Sequence, residues 1–283
     1  MFKQILVPID GSSDSWVAVD HAISLAKEEN AKLLGLYIVD ERLIYAPCWT
    51  AAGVMDPLSP DCDPILLERA EALRQQIREQ GQKALRDLRQ RSVVAGVDIE
   101  TYFETGSVPQ IILNYAAQVD LIVMGRHGVG GKWSGPLLGS TFEAVARHAP
   151  TPVLATVSDA RPLRTLLVAY DGSEQAKRAL DIALHLAGGT DRRLVILTVD
   201  DGRDDRAAAS FEAAALAKEQ RVDAKRLLVR GHAAEEILKA AQEEDADLIL
   251  IGAYGRSRFL AALFGSTVDD VVHNAVIPVM VCR

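Results

Sequence analysis

Residues 5–12 read Ile-Leu-Val-Pro-Ile-Asp-Gly-Ser, and residues 166–173 read Leu-Leu-Val-Ala-Tyr-Asp-Gly-Ser. Each copy is an apolar run that stops at an aspartate, as expected for a parallel strand that is buried on both faces and ends in a turn. Each copy is later followed by two glycines that lead to Gly-Ser-Thr, and then by a proline and a short apolar run. Because these landmarks keep their order, the chain is predicted to be one α/β unit used twice, over residues 1–158 and 159–283.

Composition narrows the class of protein. The 283 residues are 49% hydrophobic, which is enough for two buried cores, and no run of 18 apolar residues occurs that would span a membrane. The N-terminus lacks a signal-peptide layout, and the three cysteines (Cys48, Cys62 and Cys282) have spacings that fit neither a disulfide framework nor a zinc site. A net charge of −8 without a basic stripe argues against nucleic-acid binding. We therefore expect a cytoplasmic protein that binds neither membranes nor nucleic acids.

The apolar patterns predict alternating strands and helices in both halves. This alternation is typical of a doubly wound parallel sheet with helices on both faces, and we predict five strands in each half. The predicted strands are Gln4–Ile9, Lys32–Val39, Ile99–Glu104, Leu121–Met124 and Pro152–Thr156, and then Thr165–Tyr170, Leu194–Val199, Ala224–Val229, Asp247–Ile251 and Pro278–Cys282.

The first half is longer than the second. Asp10 and Asp171 are 161 positions apart, but Gly106 and Gly231 are only 125 apart, so the first half carries 36 additional residues between these landmarks. We expect most of them in residues 41–63, since the prolines of this segment suit neither a helix nor a central strand. A helix is expected to follow from Pro64 to near Gly96. The segment 41–63 is either an ordered loop or lid, or a surface insertion without a role at the site.

Three features of each half are predicted to meet at the carboxyl edge of its sheet, where the winding changes direction. An aspartate at the tip of the first strand can accept a hydrogen bond from a ribose hydroxyl. Glycines after the fourth strand let backbone amides approach an anion, and the next helix begins with hydroxyls, free N–H groups and a positive dipole. Together they predict a site for a phosphate-bearing nucleotide. The residues are Asp10, Gly125, Gly128, Ser140 and Thr141 in the first half, and Asp171, Gly252, Gly255, Ser266 and Thr267 in the second.

Each feature also has a purely structural explanation. The glycines could serve only as turn formers, and the aspartates before Gly-Ser could be turn and cap residues. Ser140 with Glu143, and Ser266 with Asp269, match the capping-box pattern or a close variant, so their hydroxyls could serve the helix alone. His127 could contact a phosphate or only water. No Walker loop, nucleophile elbow or zinc-protease helix occurs, and neither a catalytic residue nor a metal site is predicted.

With this repeat and these glycines, the chain resembles the universal stress protein family in its tandem form, over nearly its whole length apart from residues 41–63. Members that bind nucleotides carry Gly-x-x-Gly, nine further residues and then Gly-Ser or Gly-Thr. In the second half, Gly252 and Gly255 are followed after nine residues by Gly265 and Ser266. The first half departs from this pattern, because ten residues separate Gly128 from Gly139.

The resemblance implies a Rossmann-like fold of the adenine-nucleotide α-hydrolase type that binds ATP, with or without Mg²⁺. Asp10 and Asp171 would contact the ribose, and Ile38 and Val199 would offer backbone groups to adenine. The glycines, including Gly139 and Gly265, and the hydroxyls named above would hold the phosphates. The family also pairs domains through the final strand. This implies an internal pseudo-twofold contact between residues 153–156 and 279–282, and a homodimer remains open.

We therefore expect a cytoplasmic stress-response protein that binds ATP as a regulatory ligand and hydrolyses it slowly at most. The expectation of slow hydrolysis follows because no base, nucleophile or acidic metal pair accompanies the phosphate site. The alternative is an interaction scaffold in which one or both sites are vestigial, which the irregular first loop favours. A transferase or ligase of related fold would need a substrate pocket, for which residues 41–63 are the candidate.

Overall fold

The computed structural model describes residues 1–40, 49–50, 53–54, 64–128, 138–157, 160–200, 206–253 and 266–283. Strands and helices alternate through both halves, and the predicted strand boundaries are confirmed to within two residues. The first half contains β1 (Gln4–Ile9), α1 (Ser13–Glu29), β2 (Lys32–Asp40), β3 (Trp49–Thr50), β4 (Gly53–Val54), α2 (Pro64–Ala95), β5 (Ile99–Gly106), α3 (Val108–Ala116), β6 (Leu121–Gly125), α4 (Ser140–His148) and β7 (Val153–Thr156). The second half contains β8 (Thr165–Ala169), α5 (Glu174–Ala187), β9 (Arg193–Asp200), α6 (Arg206–Glu219), β10 (Ala224–Arg230), α7 (Ala233–Glu243), β11 (Leu248–Gly252), α8 (Ser266–Asn274) and β12 (Val279–Cys282).

The ten longer strands form one sheet in the order β10-β9-β8-β11-β12-β7-β6-β1-β2-β5, and β3 pairs with β4 separately. Neighbouring strands within each half are parallel, which confirms the five parallel strands expected there. The two halves join where β7 pairs antiparallel with β12, with Leu154 opposite Met280. The contact between the last strands that the resemblance implied is therefore present, and it merges the two predicted sheets into one.

Helices cover both faces of the sheet, as a doubly wound fold requires. α1, α2, α5 and α6 contribute to one buried apolar cluster, and α3, α4, α7 and α8 contribute to the other. Successive strand residues alternate between the clusters, with Ile5 and Val7 in the first and Leu6 in the second. Each cluster contains side chains of both halves, so burial, at about 1.5–3 kcal/mol for each large aliphatic side chain, also stabilises the junction.

The additional residues of the first half are divided between a connection and a helix. The segment between β2 and α2 has 23 residues where the segment between β9 and α6 has five, and α2 has 32 residues where α6 has 14. Half of the 36 additional residues therefore lie in α2, and the expectation that most lie in residues 41–63 was wrong. The apolar positions of α2 keep helical spacing throughout, which explains why the helix continues. Neither α2 nor any other described helix is long and apolar enough to cross a membrane.

α2 extends beyond the carboxyl edge of the sheet. A Cβ on Gly35 would lie 2.4 Å from Leu88 Cδ2, and a Cβ on Gly81 would lie 2.4 Å from Tyr37 Cε1, so α2 packs tightly on β2 and runs antiparallel to it. The 17 residues that precede Gly81 in α2 extend about 25 Å past the contact with Tyr37, whereas the remaining residues of β2 extend about 10 Å. The start of α2 therefore projects past the carboxyl edge at which the site was predicted.

Candidate functional site

The strand order places the candidate site at the carboxyl ends of β1 and β6. β1 lies between β2 and β6, and the winding reverses at this point, which is where ligands bind in open α/β sheets. Asp10 follows β1, and a Cβ on Gly128 would lie 2.8 Å from Asp10 Oδ2. Asp10 and Gly128, which are 118 positions apart in the sequence, are thus brought together as predicted.

Asp10 and Asp171 organise the turns that follow their strands. Asp10 Oδ1 accepts a hydrogen bond from the Ser12 amide at 2.9 Å, and Asp171 Oδ1 accepts one from the Ser173 amide at 2.9 Å. Gly11 lies between Asp10 and Ser12 with φ of +83°, a conformation that favours glycine. The turn-forming role considered for these aspartates is therefore present. The hydrogen bond from the Ser12 amide uses one carboxylate oxygen of Asp10, and the other oxygen faces Gly128.

Ser12 and Ser173 cap the helices that follow these turns. Each hydroxyl accepts a hydrogen bond from an amide three residues later, at 3.1 Å in α1 and 3.2 Å in α5. The paired Asp-Gly-Ser sequences thus build the same strand–turn–helix unit in each half. This unit fixes the position of each aspartate relative to the sheet edge.

Gly125 and Gly252 are required by packing. A Cβ on Gly125 would lie 2.7 Å from Asp14 Cβ and 2.9 Å from the Asp14 carbonyl carbon. A Cβ on Gly252 would lie 2.7 Å from the Ala176 amide nitrogen. Both glycines let the end of the fourth strand approach the first turn of a helix, so the need for glycine at these two positions does not depend on a ligand.

Gly139 connects the glycine turn, which is residues 125–128, to α4. It is the N-cap residue of α4, its amide donates to the Arg126 carbonyl at 2.9 Å, and no side chain caps the helix. Ser140 is therefore the first helical residue, and the capping-box explanation of Ser140 with Glu143 was wrong. Ser140 is exposed and Thr141 is half-buried, so both lie within reach of solvent at the start of the helix.

The corresponding part of the second half is described only from α8 onward. Ser266 is exposed and Thr267 is half-buried, as at the start of α4. Gly255 and Gly265 lie outside the described residues, as do residues 129–137 of the first glycine loop. The effect of the additional residue in that loop therefore stays a prediction.

Ile38 and Val199 occupy equivalent positions at the ends of the second strands. The ladder between β1 and β2 ends at Tyr37, while β2 stays paired with β5 as far as Asp40. In the second half, the ladder between β8 and β9 ends at Leu197, while β9 stays paired with β10 to its end. Ile38 and Val199 thus lie beyond the ladder with the first strand, at the position from which the resemblance expects backbone groups to meet adenine.

An arginine lies beside Asp171, which the sequence did not predict. Arg206, the first residue of α6, donates to the Asp171 carbonyl oxygen at 2.7 Å and places its Nη1 3.6 Å from Asp171 Oδ2. Asp10 is exposed, whereas Asp171 is half-buried. Arg206 lies 35 residues after Asp171, at the end of a separate connection, so no local pattern indicates the contact.

Near the first site, His127 and Arg126 point to different partners. His127 Nδ1 lies 3.2 Å from Asp14 Oδ2, in the first turn of α1. The Arg126 side chain contacts carbonyl oxygens of the second half, and burial lowers the pKa of its guanidinium while the nearby Asp14 carboxylate opposes that shift. The described ranges contain no group of three His, Cys, Asp or Glu side chains that could hold a metal ion.

An open cavity of about 730 Å³ adjoins Asp10 on the face of the sheet that carries α1 and α2. Its lining includes Gly11, Trp16, Tyr37 and Lys83. The volume is within the range of about 300–1,000 Å³ that ligand cavities occupy. Sequence reasoning missed this cavity, because it forms between two helices that meet only in the folded chain.

Comparison with known proteins gives the family. The family model described as "Universal stress protein family" matches residues 1–156 and 162–283. The chain belongs to the universal stress protein family. A universal stress protein of Synechocystis is 27% identical over 299 aligned residues, which cover 99% of this chain and 100% of that protein. One of Bacillus subtilis is 33% identical over 156 residues, which cover 54% of this chain and 98% of the relative. This universal stress protein is thus of the tandem form.

The fold agrees with that of a solved family member. The crystal structure of a universal stress protein from Archaeoglobus fulgidus has a TM-score of 0.77 to this chain at 22% identity, and covers 99% of this chain and 96% of its own. The Rossmann-like fold of the adenine-nucleotide α-hydrolase type that the resemblance implied is confirmed.

Proposed function

We propose that this universal stress protein binds ATP as a regulatory ligand at the carboxyl edge of each half of its sheet, and that it hydrolyses ATP slowly at most. The observation that carries the proposal is the convergence of Asp10, Gly128 and the start of α4 around the switch point between β1 and β6. These residues come from three separate parts of the chain, and each offers a group that suits one part of a nucleotide.

The start of α4 suits the phosphates. A helix N-terminus has N–H groups without helical partners and a positive dipole. No side chain caps α4, so the Ser140 and Thr141 hydroxyls do not occupy these N–H groups. Gly128 leaves the space beside Asp10 that a Cβ would fill. Mg²⁺, where it accompanies ATP, would be held through phosphate oxygens.

Asp10 and Ile38 suit the nucleoside. In the proposal, Asp10 accepts hydrogen bonds from the ribose hydroxyls through the carboxylate oxygen that faces Gly128. The Ile38 backbone, beyond the end of the ladder with β1, meets the adenine edge. The cavity between α1 and α2 reaches this edge only at Asp10 and Gly11, and its lining continues along α2 as far as Val94.

Regulation fits the chemistry of these residues better than rapid turnover. The His127 ring nitrogen Nδ1 lies 3.2 Å from Asp14 Oδ2. The Arg126 guanidinium, which would stabilise a transferring phosphoryl group if it faced the site, contacts main-chain carbonyls of α8 instead. A measured turnover near about 1 per second, an ordinary rate for an enzyme, would contradict this part of the proposal.

An interaction scaffold remains the second candidate, and one observation favours it for the second half. The Arg206 guanidinium lies close to Asp171, so a ribose would compete with an existing contact. A vestigial second site would make that half a docking module while the first half senses the nucleotide.

The first experiment is to denature freshly purified protein and count the released adenine nucleotides per chain. Two equivalents support two working sites, one equivalent supports a single sensor, and none, with no binding of added Mg-ATP, favours the scaffold. Asp10→Asn and Asp171→Asn then assign the sites. Asp120→Asn and Asp247→Asn are matched controls, because these aspartates accept backbone amides at the opposite edge of the sheet. Equal loss of binding in the controls would refute the placement.

A further inference from the structure

Arg126 belongs to the glycine turn of the first half, but its side chain contacts the second half. Its Nη1 donates to the carbonyl oxygens of Val272 at 2.5 Å and Ala275 at 2.9 Å, and it lies 3.4 Å from that of His273. These carbonyls are at the C-terminal end of α8, where helical carbonyls lack partners. A guanidinium there also meets the negative end of the helix dipole.

The backbone of Arg126 holds the first site together. Its carbonyl oxygen accepts the Gly139 amide at the start of α4, and its own amide donates to the Thr156 carbonyl at 3.4 Å, at the end of β7. One residue therefore connects the glycine turn, the helix start and the last strand of the first half with α8. α8 itself begins at Ser266, which we assign to the second site.

The equivalent position in the second half is Ala253. Its side chain is fully buried, and its amide donates to the Cys282 carbonyl at 2.6 Å, as Arg126 does to Thr156. A methyl group cannot bind helix carbonyls, so Ala253 makes no comparable contact with the end of α4. An arginine of the first site therefore contacts the second half, and the equivalent residue of the second half, Ala253, makes no such contact with the first half.

We propose that Arg126 is a positioning residue through which α8 holds the glycine turn and the start of α4 in the arrangement that nucleotide binding requires. The first site is then built by both halves, whereas the second site does not depend on this arginine. The inference rests on the proposed nucleotide function. It implies that joining the two halves in one chain contributes to the structure of the first site.

The test measures ATP affinity in the full chain with one site disabled at a time. In the Asp171→Asn background, Arg126→Gln should raise the Kd of the remaining first site about tenfold, the effect of losing one hydrogen bond to a charged group. In the Asp10→Asn background, the same substitution should change the Kd of the second site less than about twofold. Arg126→Lys should recover part of the loss, since an ammonium group can also donate to carbonyls at a helix end.

Arg192 offers a matched control. It is a mostly buried arginine that donates to the Leu186 carbonyl at the end of α5 at 2.8 Å and to the Leu163 carbonyl before β8 at 2.6 Å, and it pairs with Glu28 of the other half. It lies at the amino edge of the sheet, away from both sites. Arg192→Gln should lower the melting temperature and leave both ATP affinities unchanged. If it weakens the first site as much as Arg126→Gln does, or if Arg126→Gln weakens both sites equally or neither, the positioning role is wrong.

Hydrogen exchange separates this inference from the proposed function, because it needs no nucleotide. Arg126→Gln should accelerate exchange of the Gly139 amide, which donates to the Arg126 carbonyl, and Arg192→Gln should not. Unchanged exchange overturns the positioning role whether or not ATP binds. Failure of the wild-type chain to bind ATP, with accelerated exchange in Arg126→Gln, would overturn the nucleotide function and retain the link between the halves.

Discussion

Two glycines of the first glycine turn should respond to alanine in different ways. In Gly128→Ala, the new Cβ would lie 2.8 Å from Asp10 Oδ2, so the exposed Asp10 carboxylate has to move. In Gly125→Ala, the new Cβ would lie 2.9 Å from the main-chain carbonyl carbon of Asp14, so the first turn of α1 has to move. The first change displaces a proposed ligand contact, and the second displaces the packing of a helix on the sheet.

The expected magnitudes follow from these contacts. Losing a hydrogen bond to a charged group costs about 1.5–3 kcal/mol, so Gly128→Ala should weaken ATP binding by about tenfold to a hundredfold, with little change in melting temperature. Overpacking a close contact costs about 1–3 kcal/mol of unfolding free energy. Gly125→Ala should therefore lower the melting temperature of a chain of this size by about 2–12 °C. ATP affinity of the folded fraction of Gly125→Ala should stay near that of the wild type.

Calorimetric titration with ATP and thermal melting by circular dichroism, on both variants and the wild type, measure the two effects. The reasoning is refuted if Gly128→Ala binds ATP as the wild type does. It is equally refuted if the two variants lose stability to the same extent, because the glycines would then share one structural role.

Three further outcomes test other contacts. Gly252→Ala, which places a Cβ 2.7 Å from a main-chain nitrogen of α5, should lower the melting temperature as Gly125→Ala does; an unchanged melting curve would contradict the packing role. Leu154→Ala removes a fully buried side chain at the junction of β7 with β12 and should cost about 2–5 kcal/mol in urea unfolding, and a cost under about 1 kcal/mol would show that the junction contributes little. Burial is the largest single effect and raises the pKa of Glu29, but the hydrogen bonds from the Met1 amine, His185 and the Phe2 amide together outweigh it and lower the pKa. A lowered carboxyl pKa stabilises the fold above the ordinary value of 4.5, so the stability difference between wild type and Glu29→Gln should be present at pH 7 and shrink below that value.

The internal repeat has a consequence for how the two sites should be studied. Asp10 and Asp171 form the same turn, Asp171 lies beside Arg206, and position 126 of the first half is an arginine where the equivalent position 253 of the second half is an alanine. The halves are therefore alike in the elements that build the sheet and different in the charges around the sites. Binding data that average the two sites would hide this difference, which is why each site needs its own background.

Much of the fold was predictable because it depends on local patterns. Apolar runs of four to eight residues identify buried parallel strands, and their alternation with helical patterns leaves few topologies. The meeting of Asp10 with Gly128 was also predictable, since the carboxyl ends of parallel strands share one edge of a sheet. The capping-box interpretation of Ser140 was wrong because Gly139 is the N-cap residue. A tertiary hydrogen bond from the Gly139 amide to the Arg126 carbonyl fixes Gly139 at this position.

The sequence by itself determined the repeat, the strand and helix order, and the edge at which the candidate residues gather, because spacing along the chain encodes all three. Only the tertiary structure decided which groups those residues contact. Arg126 reaches α8, Arg206 reaches Asp171, and Gly125 meets α1, each through segments far apart in sequence. The reason is physical: burial and periodicity are properties of a segment, whereas a hydrogen bond or a close contact depends on where the packing of the whole sheet brings two segments together.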